Sequence, residues 1–270
     1  MLTAVDTKNA SAVRPARPSR SGRGLTRALK ATIGIVAYLV LWEVAGRRGW
    51  LGTTFPPLSD VAEKIVGDAQ RPVIMRALRS TASASLTGFV IGVTAAFVGS
   101  ILALVVPPLR AGIDQLATIL HAMPVIALAP LFIVTLGRER TPTAIAALAA
   151  GFAMFVASTA AIESARPLQQ DLFTALGSGR LRRFASLEFP AAIPGLADGL
   201  RLAAPAAILG AVLGEWFGAP RGLGVLIVSA MQNYQIELLW AAALLAAGMS
   251  MITFGLFTLL SRWAATRWAV

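Results

Sequence analysis

The 270-residue chain contains no cysteine and a single histidine, His121. Disulfides, thiolate nucleophiles and thiolate metal sites are therefore excluded together. Charge is scarce as well. Only 14% of residues are Asp, Glu, Lys or Arg, with 13 acids against 24 bases, where soluble domains carry about 25%. No carboxylate pair, metal-ligand spacing, nucleophile triad or phosphate-binding glycine loop occurs. An enzyme is the least supported class, and the chain has no evident means of using chemical energy by itself.

Apolar residues fill the place that charge leaves. They make up 56% of the chain, and the mean hydropathy is +0.71. Apolar runs at 31–46, 80–109, 115–137, 141–162, 196–217 and 238–261 approach or exceed the roughly 20 residues that a helix needs to cross a bilayer; their charges, Glu43, Asp198, Arg201 and Glu215, lie near span ends. The expected fold is thus an all-α polytopic membrane protein with about six transmembrane helices in one domain, 31–268. The spans are rich in Ala, Gly, Ser and Thr, which lets helices pack closely. Pro124, Pro130 and Pro205 fall inside spans and bend them.

The net charge of +11 would suggest nucleic acid in a soluble chain, but its distribution points to a membrane instead. Residues 1–30 hold Lys8, Arg14, Arg17, Arg20, Arg23, Arg27 and Lys30 against Asp6 alone. This is the pattern of a basic, disordered cytoplasmic tail before an uncleaved first span. Arg110, the loop arginines Arg166, Arg180, Arg182 and Arg183, and Arg262 and Arg267 near the end fall on the same side. Both termini are then cytoplasmic. Arg138 and Arg140 fall on the outer side against this rule, with Glu139 between them. In the outer segment 47–76, Ser59 is placed to cap a short amphipathic helix bearing Val61, Ile65 and Val66.

The polar break at 163–201 is too patterned for a connecting turn. Leu168, Leu172, Phe173, Ala175 and Leu176 make one apolar face, Gly177-Ser178-Gly179 interrupts it, and helix resumes from Arg180 to Phe189 before Pro190. An apolar face beside Arg182 and Arg183 calls for a cover, either a soluble partner or the surface of anionic lipid. An ion-coupled carrier would need ionisable groups at depth, which are nearly absent. A membrane scaffold that recruits a cytosolic protein stays open.

The same loop resembles that of the inner-membrane permeases of binding-protein-dependent ABC importers, in their nitrate, sulfonate and taurine branch. The family pattern is E-A-A-x-x-x-G, followed about a dozen residues later by L-P-A-A-x-P. Here Asp171-Leu172-Phe173-Thr174-Ala175-Leu176-Gly177 precedes Phe189-Pro190-Ala191-Ala192-Ile193-Pro194, with Asp171-Leu172-Phe173 departing from Glu-Ala-Ala. Leu41-Trp42-Glu43, Phe55-Pro56-Pro57-Leu58-Ser59, Met123-Pro124, Gly199-Leu200-Arg201 and Glu215-Trp216-Phe217-Gly218 with Gly222-Leu223-Gly224 add to the likeness in order and spacing.

The resemblance implies a type I importer-like permease of the bacterial inner membrane, multi-pass, with cytoplasmic coupling helices in 163–195. It implies a second, identical copy, two ATPase subunits that bind ATP and Mg, and an extracytoplasmic substrate-binding protein. This chain would hold no cofactor of its own. Asp171, Leu172, Phe173, Ala175, Leu176, Gly177, Arg182 and Arg183 would dock the ATPase. A small anion such as a sulfonate, taurine or nitrate would be the solute, with His121, Met123, Met154 and Glu215 as candidate pathway lining.

Overall fold

The computed structural model describes residues 21–67, 70–162, 172–173 and 175–268, and among these the chain is helical and carries no strand. Contacts divide the chain into two compact units, Met1–Leu58 and Ser59–Val270. The tail expected at 1–20 lies outside the described residues. Helix α1 (Ser21–Arg47) already covers 21–30, so the disordered tail does not extend to residue 30. Leu25, Arg27, Ala28, Leu29 and Lys30 are all good helix formers, which extends the first span backwards.

Within the first unit, Ile33, Ile35, Val36 and Val40 are exposed, as a lipid-facing helix requires. Trp42 is buried and stacks on Phe55 at 5.3 Å between ring centroids. Its indole Nε1 donates to the Pro56 carbonyl at 3.1 Å. A Cβ at position 46 would lie 2.6 Å from the Pro57 backbone. The aromatic-proline segment after α1 therefore folds back on the helix end, and it needs a residue without a side chain there.

The second unit runs α2 (Leu58–Val66), α3 (Arg71–Val105), α4 (Pro107–Ala122), α5 (Val125–Leu136), α6 (Thr141–Ile162), α7 (Arg180–Arg183), a π-helical turn (Phe184–Glu188), α8 (Phe189–Glu215), α9 (Leu223–Gln232) and α10 (Ile236–Trp268). Helix α2 starts at Leu58, so Ser59 lies inside it. The Ser59 hydroxyl donates to Asp60 at 3.1 Å.

Among the described residues, five helical stretches are long and apolar enough to cross a membrane: Leu29–Arg47, Arg71–Val105, Thr141–Ile162, Phe184–Glu215 and Ile236–Arg267. The expected third span, 115–137, is two helices. Met123 stands between them with ψ 127°, and Pro124 follows with ψ 120°. A proline drives the preceding residue out of the helical region, so α4 ends at Ala122 and α5 starts anew at Val125.

The core of this unit is a seam of small residues. Ala96, Ala146, Ala150, Met154, Ala203, Ala207 and Ala211 form one buried cluster across α3, α6 and α8. A Cβ added at Gly92 would collide with the Ala147 carbonyl, and one at Gly210 would come within 2.9 Å of Ala146 Cα. Such close backbone approach replaces side-chain burial as the source of packing energy in lipid. The hydroxyls of Ser100 on α3 and Ser158 on α6 meet at 2.6 Å within this seam. A second cluster gathers Ile74 and Ala77 of α3, Leu223, Leu226 and Ala230 of α9, and Leu238 and Ala242 of α10.

Pro190 does not end the helix, contrary to the sequence expectation. The chain stays helical from Arg180 to Glu215, and the π turn just before Pro190 absorbs the missing hydrogen bond. Phe189 donates there to Phe184, five residues back. One extra residue in the turn makes room for a ring that would otherwise strike the preceding carbonyls.

Candidate functional site

Three places in the second unit carry functional potential. The first is the loop before α7. Leu172, Phe173 and Ala175 are helical, and the turn closes at Gly177 with φ +66°. Ser178 N–H donates to the Phe173 carbonyl at 3.0 Å. That bond spans a glycine in the left-handed region, which defines a Schellman stop. Leu172 and Leu176 are left 58% and 74% exposed, far more than isolated surface leucines need. Asp171 lies outside the described residues, as do 163–170. Arg182 is exposed. Arg183 Nε already pairs with the buried carboxylate of Glu188 at 3.0 Å, so it ties α7 to the π turn rather than standing ready for a partner.

The second place is a cavity of ≈ 1180 Å³ between α3, α4, α5 and α6. Ile113, Leu116, Leu128, Phe132, Leu148 and Phe152 give it apolar walls. Both halves of the broken helix contribute. Interrupted helix at membrane depth is tolerated where the freed backbone lines a cavity or is covered by protein, and α4–α5 is so placed.

The third is a buried polar node at the end of α8. Glu215 is fully buried. Thr81 of α3 donates its hydroxyl proton to Glu215 Oε1 at 2.8 Å and accepts from Leu223 N–H at 2.8 Å. Gly224 N–H donates to Glu215 Oε2 at 2.8 Å. A carboxylate and a threonine thus satisfy the first amides of α9, which no intrahelical carbonyl can reach. Gly222, the residue before α9, has φ +146°, and a Cβ there would strike the Glu215 carboxylate.

The expected pathway residues are accordingly redistributed. Glu215 is a joint between α3, α8 and α9 rather than a channel wall. Its carboxylate is held by two donors within the protein, the Thr81 hydroxyl and the Gly224 amide. Met154 is buried in the α6–α8 seam, where the missing Cβ of Gly199 would come within 3.0 Å of its Sδ. Met123 is 42% exposed at the break between α4 and α5. His121 belongs to the last turn of α4. Met123, Met154 and Glu215 do not line the large cavity. Arg140 does, and sequence reasoning passed over it because it offended the charge rule. That violation was the available signal.

Comparison with known proteins agrees with this architecture. The family model described as binding-protein-dependent transport system inner membrane component matches residues 88–266. The formylaminopyrimidine transport permease protein ThiX of Halalkalibacterium halodurans is 26% identical over 199 residues, covering 73% of this chain and 79% of ThiX. The taurine transport system permease protein TauC of Escherichia coli is 28% identical over 215 residues, covering 76% of this chain and 78% of TauC. Among solved structures, a chain of the inward-facing MetNI methionine ABC transporter superposes with a TM-score of 0.62 at 15% identity. The superposition covers 74% of this chain and 99% of that one.

Proposed function

The chain belongs to the family of binding-protein-dependent transport system inner membrane components, and on that premise we propose that two identical copies of it form the pathway of an importer for a small anion. It is a permease subunit of an ABC importer, a translocation component, and ATP hydrolysis lies in separate subunits. In the proposed assembly an extracytoplasmic binding protein delivers the solute to one side. Two ATPase subunits, holding ATP and Mg, dock on the other side at the turn before α7. Both termini of the permease lie on that cytoplasmic side of the bacterial inner membrane.

The observation that carries the docking reading is the exposed apolar turn Leu172–Gly177, shaped by a left-handed glycine and joined through α7 to the long α8. Closure of an ATPase pair gripping Leu172, Phe173, Ala175 and Leu176 would shift α7 and α8 together. That motion biases the membrane helices between two rigid-body arrangements. The cavity bounded by α3, α4, α5 and α6 is then the pathway segment contributed by each copy, replacing the methionines and Glu215 in that role.

The relatives argue for a small solute without fixing its chemistry, since ThiX is named for a formylaminopyrimidine and TauC for taurine. The test is Gly177→Asp in the native host. A branched side chain at φ +66° distorts the turn and places a charge on its apolar face. The expected result is normal membrane insertion, loss of the co-purifying ATPase and loss of ATP-dependent uptake. Full uptake in this variant would remove the turn from the mechanism.

A further inference from the structure

Among the residues lining the large cavity, Arg140 is the sole charged one, and no acid shares that lining. Its sequence neighbour Glu139 lines a separate cavity of ≈ 320 Å³ together with Glu215 and Arg221. The two adjacent opposite charges thus serve different spaces. The ion pairs of the described residues do not include Arg140. Arg140 is itself exposed while lining this apolar space, so its guanidinium is open to a ligand that enters the cavity from solvent.

Two hydroxyls accompany it. Thr143 lies in the first turn of α6, three residues on from Arg140, which directly precedes that helix, and Thr87 comes from α3; both line the cavity. A Cβ at Gly88 would sit 2.7 Å from the Thr143 carbonyl, so α3 and α6 approach closely at the level of the two threonines. Many helical threonines here return their proton to a carbonyl four residues back, as Thr118, Thr135, Thr159 and Thr258 do. Among the described residues, the Thr87 and Thr143 hydroxyls make no such bond.

We propose that Arg140, Thr143 and Thr87 form the anion-binding end of this cavity, and that its ligand is an organic anion with one compact anionic head and an apolar body. This rests on the cavity being the pathway. The head meets a guanidinium and two hydroxyl donors, while the body lies along Phe132, Leu148 and Phe152. An inorganic oxyanion would leave those walls uncovered. A zwitterion would bring an ammonium into a cavity with no carboxylate to receive it.

The test uses the full-length permease in nanodiscs, without ATPase, and naphthalene-1-sulfonate as the probe, with empty nanodiscs as reference for lipid partitioning. Binding is read by ligand-observed NMR titration. The wild type should bind the probe, with neither sulfate nor taurine competing at equal concentration. Arg140→Gln should weaken it about ten-fold or more, as expected for losing a charge-assisted hydrogen-bond donor, while Arg140→Lys retains most affinity. The neutral analogue 1-naphthalenemethanol should bind wild type and Arg140→Gln alike, and Arg138→Gln, outside the cavity lining, should behave as wild type.

Absence of probe binding to the wild type would overturn the proposal, as would unchanged affinity in Arg140→Gln or an equal loss in Arg138→Gln. None of these outcomes touches the importer reading, which stands or falls on ATP-dependent uptake and on Gly177→Asp.

Discussion

At Glu215 two demands meet: a carboxylate must be shielded from hydrocarbon, and the first amides of α9 need acceptors. Each solves the other, with Thr81 as go-between. Glu215→Ala should therefore destabilise the protein by roughly 2–4 kcal/mol, at about 1–3 kcal/mol for each stranded donor. Glu215→Gln should lose roughly half as much, since the amide keeps one acceptor oxygen and turns its other end into a donor. Thermal unfolding in detergent reads the series, and a Glu215→Ala protein as stable as wild type would refute the joint. None of this was legible in the sequence. A glutamate ending an apolar run reads as an interfacial charge, because its partners lie 134 positions back, at Thr81, and nine ahead, at Gly224. Gly177 was legible, because a glycine after a short apolar helix has a local meaning that needs no distant partner. Arg183 was half legible. Its charge was noted, but the carboxylate that claims it, Glu188, lies across a π turn that propensity does not foresee.

Helices show the same division between local and distant causes. The spans at 141–162 and near the C-terminus were readable from uninterrupted apolar runs, whereas the broken third span and the unbroken α8 were both misjudged on account of prolines. Pro124 stops a helix because the residue before it is forced extended. Pro190 does not, because a π turn precedes it. Pro124→Ala should let α4 and α5 approach one continuous helix. The Val125 and Ile126 amides would gain partners, so their hydrogen exchange should slow by about ten-fold or more for roughly 1.4 kcal/mol of added protection. Uptake should fall as the cavity loses its broken wall. Unaltered exchange would mean that packing, not proline, holds the break open. The Ser100–Ser158 contact allows a cleaner energetic check. Ser158→Ala should cost about 0.5–1.5 kcal/mol, and adding Ser100→Ala should cost little more, as shared interhelical bonds in membranes behave.

For the molecule as a whole, the absence of cysteine turns from an exclusion into a tool, since single cysteines report sidedness without background. Gly52→Cys and Arg221→Cys should react with an impermeant maleimide in intact cells, while Ser178→Cys and Arg262→Cys should react only after permeabilisation. The reverse pattern would invert the proposed orientation. If the orientation holds, the continuous helical rod from Arg180 to Glu215 joins the ATPase side of the membrane to the far side. At about 1.5 Å per residue its 36 residues span about 54 Å. Its closest pivot is the pair Gly195 and Gly199, where it presses against Ala161 and Ala157 of α6. About 28 Å of rod lies on one side of Gly199 and about 24 Å on the other. With arms so nearly equal, a tilt of a few degrees moves both ends by an ångström or two in opposite directions. The Glu215 joint at the outer end then passes what the π turn, Pro194 and Pro205 do not absorb to α3 and α9 as a torque.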